Sequence, residues 1–140
     1  MSSLPLETIP SVQLDFMNDD HREATLLTNT LYAMVQDAKD NSEFDRAAIT
    51  ETMHAIFVHD QEHFAREEAE MERTGFPAYG CHKGEHERVL AELQEVYQHW
   101  QNGMEPETLE KYLTETMTPW FINHINTMDT VTAMFVSRHD

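Results

Sequence analysis

Between residues 19 and 137 the apolar side chains recur every three to four positions in four long runs, and none of the runs alternates as a strand would. Such a run buries its stripe only as a helix laid against other helices, so four of them in one short chain leave few architectures open. The breakers agree with this reading: 140 residues contain only four glycines and five prolines. The expected fold is all-α, an up-down-up-down four-helix bundle with an irregular N-terminal leader. At this length one core, and therefore a single domain over 1–140, is expected.

The punctuation predicts a leader at 1–14 and helices at about 19–39, 44–74, 79–101 and 106–137. Ser42 is the expected N-cap of the second helix, and Gly75, Phe76 and Pro77 end it. Asn102 and Gly103 stop the third. Pro106 suits the first turn of the fourth, whereas Pro119 inside that helix predicts a kink or brief interruption near Thr118.

Every stripe contains a histidine. The first reads His21, Ala24, Leu27, Leu31, Met34, Ala38; the second Ile49, Thr52, Ile56, His63, Glu67. The third begins at His82 and His86 and continues through Val89, Leu93, Val96 and Trp100. The fourth reads Leu113, Met117, Trp120, His124, Met128, Val131, Phe135. Imidazole and carboxylate are costly to bury alone, so four core-facing stripes that carry them call for a compensating partner, and a metal is the economical one. The pairs His63 with Glu67 and His82 with His86 are spaced by four, which sets both side chains on one helix face about a turn apart. A lone histidine of this kind is more often a satisfied core residue than a ligand. A set drawn from four antiparallel helices converges in the bundle interior.

These residues, in this order, resemble the hemerythrins and bacterial hemerythrin-like (HHE cation-binding) domains over nearly the whole chain. The family pattern is a lone His, then H-x3-E, H-x3-H and H-x4-D on successive helices. Here it reads His21, His63 to Glu67, His82 to His86, and His124 to Asp129. Glu62-His63-Phe64-Ala65-Arg66-Glu67-Glu68 ahead of Met71, Gly75-Phe76-Pro77, and Trp120 one turn before His124 are similar as well. The resemblance implies a four-helix bundle and a non-haem centre of two iron ions with a bridging oxo or hydroxo group. His82, His86 and His124 would ligate one iron, His21 and His63 the other, and Glu67 and Asp129 would bridge them. One coordination position would stay open for molecular oxygen as ligand.

Asp129 follows from the resemblance alone. Residues five apart differ by about 140° around an α-helix, so His124 facing inward would bring Met128 inward and leave Asp129 off the face. Either Asp129 reaches round from the flank, or a π-type bulge near Asn126 aligns the two. Asp20 stands where the commonest bacterial pattern has glutamine, and the leader lacks the usual tryptophan, with Leu14 and Phe16 the nearest hydrophobic residues. His54 and His99 lie about 180° and 100° from the ligand stripes and are expected in solvent, His139 is expected to have no role at the site, and Cys81 is expected to be an ordinary thiol. His59, about 40° from His63 and one turn earlier, is placed to support a ligand or stand in for one. Trp120, Met117, Phe57 and Phe64 are candidates to line an oxygen pocket, although most such residues are simply core.

The leading function is reversible binding of molecular oxygen at the di-iron centre, for carriage, storage or sensing. The alternative is a di-iron enzyme acting as an oxidase, a peroxide or nitric oxide scavenger, or an iron-handling protein. Five histidines with two carboxylates differ from the carboxylate-rich oxidase pattern, and a structural zinc site would need neither seven ligands nor an open position. A net charge of −17 disfavours nucleic acid and anionic membrane surfaces as partners. No secretory signal or membrane span is evident, and a single cysteine suits a reducing compartment, so a cytoplasmic location is expected. The sequence points to no protein partner.

Overall fold

The computed structural model describes residues 4–5 and 8–139; the remainder of the expected leader, residues 1–3, 6 and 7, lies outside the described residues. Three uninterrupted helices come first: α1 (Asp15–Asp40), α2 (Arg46–Thr74) and α3 (Tyr79–Gln101). The fourth rod is built from α4 (Pro106–Tyr112), a π turn (Leu113–Met117), α5 (Thr118–His124), a second π turn (Ile125–Asp129) and α6 (Thr130–Ser137). Short connections fold the rods into an antiparallel bundle, with α1 beside α2 and α4, and α2 also against α3 and α6. Among the described residues there is no strand, and no helix is long and apolar enough to cross a membrane.

Two helix starts differ from expectation. α1 begins at Asp15 because its apolar stripe extends one turn further back, to the fully buried Met17. The cap of α2 is Asp45, not Ser42: its side chain accepts from the Ala48 N–H at 3.1 Å, while Ser42 falls in a turn that Phe44 N–H closes onto the Asn41 carbonyl. At the other end of α2, Gly75 takes the left-handed conformation (φ 70°), letting Gly75 N–H reach Glu72 O and Phe76 N–H reach Met71 O.

Pro119 leaves its mark as the first π turn. Lacking an N–H, it cannot continue the α ladder, and the Thr118 N–H bonds back five residues to Leu113 O. The second π turn has a larger effect. The residue it adds rotates everything beyond it, so Thr132, Ala133 and Val136 are buried and Val131, expected in the core, is 56 % exposed. The predicted inward stripe Met128, Val131, Phe135 is thus displaced by one residue.

One end of the bundle is an apolar core of Leu31, Val35, Ile49, Met53, Leu93 and Trp100 packed with Leu109 and Leu113. Trp100 is fully buried, donates from its indole to Thr50 Oγ1 at 3.1 Å, and carries the Arg46 guanidinium 3.7 Å above its ring. The other end holds the histidines. The leader is fastened to α1 by two asparagines, each of which pairs with both the N–H and the C=O of one leader residue: Asn18 with Val12 and Asn29 with Leu4.

Candidate metal centre

His21 comes from α1, His63 and Glu67 from α2, His82 and His86 from α3, His124 from the last turn of α5, and Asp129 from the end of the second π turn. All seven are buried. They fall into two groups, one of Glu67, His82, His86, His124 and Asp129, the other of His21, His63, Glu67 and Asp129; within each, the ligand-type atoms lie within 4.8 Å of one another. Both carboxylates belong to both groups.

Each carboxylate turns one oxygen toward each group. Glu67 Oε2 is 2.7 Å from His63 Nε2 and 3.9 Å from His21 Nε2, whereas its Oε1 is 3.2 Å from His86 Nε2 and 3.5 Å from His82 Nε2. Asp129 Oδ2 is 2.9 Å from His21 Nε2, and its Oδ1 is 3.1 and 3.2 Å from the Nε2 atoms of His82 and His124. Five imidazoles therefore converge through the same nitrogen. Asp129 can join them because of the π turn: Thr130 N–H bonds to Ile125 O, which brings Asp129 onto the face of His124. Of the two routes open to Asp129, the backbone takes the bulge.

Many of these contacts have ion-pair distances without hydrogen-bond alignment. Glu67 Oε1 and Oε2, His86 Nε2 and Asp129 Oδ1 are buried with no hydrogen-bond partner. Each such atom costs free energy unless something satisfies it. Cations between the two groups would satisfy all four, and a mixed imidazole and carboxylate donor set suits iron and other divalent first-row metals. The residues fit a dinuclear metal. Burial opposes ionisation of both carboxyls, yet the imidazoles around them outweigh it, holding Glu67 below and Asp129 well below the usual range. Burial likewise opposes a charge on His63, but the Glu67 and Asp20 carboxylates push its imidazole up to about 10. The pocket favours positive charge.

The outer nitrogens of three of the five imidazoles are held as well, whereas His21 Nδ1 is buried without a hydrogen-bond partner. His63 Nδ1 is 2.8 Å from Asp20 Oδ2, His82 Nδ1 is 2.8 Å from Thr132 Oγ1, and His86 Nδ1 is 2.9 Å from Glu68 Oε2. An imidazole whose Nδ1–H is donated outward presents the Nε2 lone pair inward, the tautomer a ligand needs. Sequence reasoning assigned no role to Glu68 or Thr132 and noted Asp20 only as a departure from the family pattern. Position beside a ligand was a signal for Asp20 and Glu68; Thr132 had none, because the π turn moves it inward. His59 joins neither group. Its Nε2–H donates to the Asp20 carbonyl at 3.0 Å and its ring lies parallel to that of His63, so it steadies the segment that holds His63. His54, His99, His139 and Cys81 are exposed.

A cavity of about 40 Å³ adjoins the cluster, bordered by His21, His63, His124 and Asp129 on the polar side. Phe64, Met117 and Trp120 line it, more of the four candidates than the sequence reading expected, while Phe57 packs against the apolar core. Phe64 stacks on His86 with centroids 3.9 Å apart, and Trp120 stacks on His124 at 4.5 Å while its indole donates to Glu85 at 2.7 Å.

The family model of the Hemerythrin HHE cation binding domain matches residues 12–135. A bacteriohemerythrin of Aquifex aeolicus is 33 % identical over 118 residues, covering 84 % of this chain and 86 % of that protein. One from Ralstonia nicotianae is 31 % identical over 109 residues, covering 78 % and 74 %. The crystal structure of a hemerythrin variant, with a leucine replaced by alanine, superposes with a TM-score of 0.76 over 90 % of both chains, at 23 % identity.

Proposed function

The chain belongs to the hemerythrin family, and from that premise we propose that it binds molecular oxygen reversibly at a dinuclear iron centre. His82, His86 and His124 hold one iron, His21 and His63 the other, and Glu67 and Asp129 bridge them. The observation that carries this reading is the sharing of both carboxylates between two histidine groups of unequal size. Three imidazoles on one side and two on the other leave the second side short of a ligand, and the cavity borders both histidines of that side, with only His124 of the other three.

The iron pair, when bound, supplies the electrons that oxygen binding draws on. The protein does the rest. Asp20, Thr132 and Glu68 fix three imidazoles in the ligating tautomer. Phe64, Met117, Trp120 and Phe121 wall the cavity with apolar surface that disfavours bulk water. Its volume has room for a small ligand of the size of water or dioxygen. We place the protein in the cytoplasm on the strength of its single cysteine.

A second reading, a di-iron enzyme, is favoured by one observation: the carboxyl of Asp60 also lines the cavity. Visible spectra of anaerobically reduced, iron-loaded protein before and after admitting air, and again under argon, separate the two. A band that appears with air and vanishes under argon supports reversible binding. Immediate oxidation with no reversible band supports the enzyme.

A further inference from the structure

α3 and the fourth rod approach each other less closely than α2 approaches α1 or α3, and side chains bridge the seam between them. Thr132 reaches His82 across it at 2.8 Å. The cavity borders the same seam through Val89 and Leu93 of α3 and Met117 and Trp120 of the fourth rod. Trp120 is half-buried there, its ring nearly parallel (18°) to that of His124 with centroids 4.5 Å apart, and edge-on to Phe64 at 6.4 Å. His82 and His86 are each held by a hydrogen bond at Nδ1; His124 has none there among the described residues, and the indole face lies against it instead.

The indole is itself tied across the seam. Its N–H donates to Glu85 Oε1 at 2.7 Å, a short bond to a charged acceptor. Arg88 forks that carboxylate, with Nη2 2.7 Å from Oε1 and Nε 3.0 Å from Oε2, and its Nη1 reaches Glu92 at 3.2 Å. The Glu85 side chain is 25 % exposed and that of Arg88 51 %. Arg88, Glu85, Trp120 and His124 therefore form one chain of contacts from the surface to the metal cluster.

We propose that Glu85 is a positioning residue that latches Trp120 across this seam, so that the indole closes one side of the cavity and sets how fast a small ligand enters and leaves. The inference rests on the dinuclear reading above. Glu85 does not line the cavity and acts through the indole N–H. Swinging the indole off His124 breaks a hydrogen bond to a charged group, which makes opening an uncommon excursion. The latch governs the passage and not the end states, so its loss raises entry and exit rates together and leaves affinity nearly constant.

The test follows azide by stopped-flow absorbance on iron-loaded, oxidised protein, in wild type, Glu85→Ala, Glu85→Gln, Trp120→Phe and the double variant of Glu85→Ala with Trp120→Phe. Glu85→Ala is expected to raise the association and dissociation rates about tenfold each. Glu85→Gln keeps an oxygen that can accept from the indole and should restore most of the wild-type slowness. Trp120→Phe removes the N–H and should raise both rates, after which adding Glu85→Ala should change nothing further. Loss of a negative charge alone would speed entry and slow exit of the anion, in the Trp120→Phe background as well. That pattern, or unchanged rates in Glu85→Ala, would overturn the latch.

Solvent exchange of the Trp120 indole proton, read by nuclear magnetic resonance of the isotope-labelled protein, needs no iron. It should be slow in the wild type and about tenfold faster in Glu85→Ala. Exchange in the wild type as fast as that of a free indole would overturn the latch, whether or not Glu85→Ala folds and takes up iron. Failure of the wild type to load two irons, or to show an azide band, would sink the dinuclear reading and this inference with it; equal rates in a wild type and a Glu85→Ala variant that do both would sink the latch alone.

Discussion

Asp20 Oδ2 stands 2.8 Å from His63 Nδ1 and, from the other side, 3.0 Å from Arg66 Nε, so one carboxylate joins a buried imidazole of α2 to a guanidinium that is half in solvent. Arg66 Nη2 closes the fork on Oδ1 at 2.7 Å. Burial resists the charge, but His63 and Arg66 outweigh it and hold the Asp20 carboxyl down to about 2. The residue before the first histidine thus orients a histidine on a different helix, a task its place in the sequence does not disclose.

Replacing Asp20 with alanine frees His63 to rotate and to change tautomer. Metal affinity is expected to fall by about 10- to 100-fold, read by competition with a chelator. Arg66→Ala, which leaves the Asp20 to His63 contact in place, is expected to have a smaller effect. Equal losses in both variants would move the anchoring role from Asp20 to Arg66.

Glu67→Ala or Asp129→Ala removes a carboxylate that both histidine groups share. Each is expected to abolish dinuclear loading, while His54→Ala, in an exposed position, keeps it. Elemental analysis of metal per chain decides the matter, and two metals retained in both carboxylate variants would end the bridging assignment.

Thr130 Oγ1 donates to Ile125 O at 2.6 Å, adding a side-chain bond to the carbonyl that the π turn already uses. Thr130→Val keeps the shape and loses that bond. Stability is expected to drop by about 1 kcal/mol, measured by chemical denaturation of the metal-loaded protein. A larger loss accompanied by metal release would mean that the hydroxyl holds the π turn itself.

Burial, with the nearby Glu92 carboxylate, raises the Tyr112 hydroxyl above its ordinary value of 10.0. The folded protein keeps this proton at a pH where the unfolded chain releases it. Its contribution to stability is therefore complete below about pH 10 and lost as pH rises beyond. Tyrosinate absorbance of wild type and Tyr112→Phe should superimpose through pH 10 and above while the protein stays folded; an early difference would show that Tyr112 ionises normally.

The sequence by itself determined the four helical runs and, through their 3.6-residue period, the general inward face of the first three, although Thr25, Val35 and Met53 are buried where the stripes named Ala24, Met34 and Thr52, which are only half-buried. His21, His63, Glu67, His82 and His86 lie on stripes that a local rule can read, since facing along a straight helix depends only on spacing. Resemblance to a known family added Asp129, which spacing placed on the wrong face. The tertiary structure decided what depends on backbone register and on neighbours from other helices. The second π turn shifts the last rod by one residue, bringing in Asp129 and Thr132 and turning Val131 out. No side-chain period records such a shift, because it arises in the hydrogen-bond ladder. The meetings of Asp20 with His63, of Glu68 with His86, and of Asp60 with Tyr112 and Glu92 in one cavity each join separate helices. Periodicity states that a residue points inward; only packing states what it meets there.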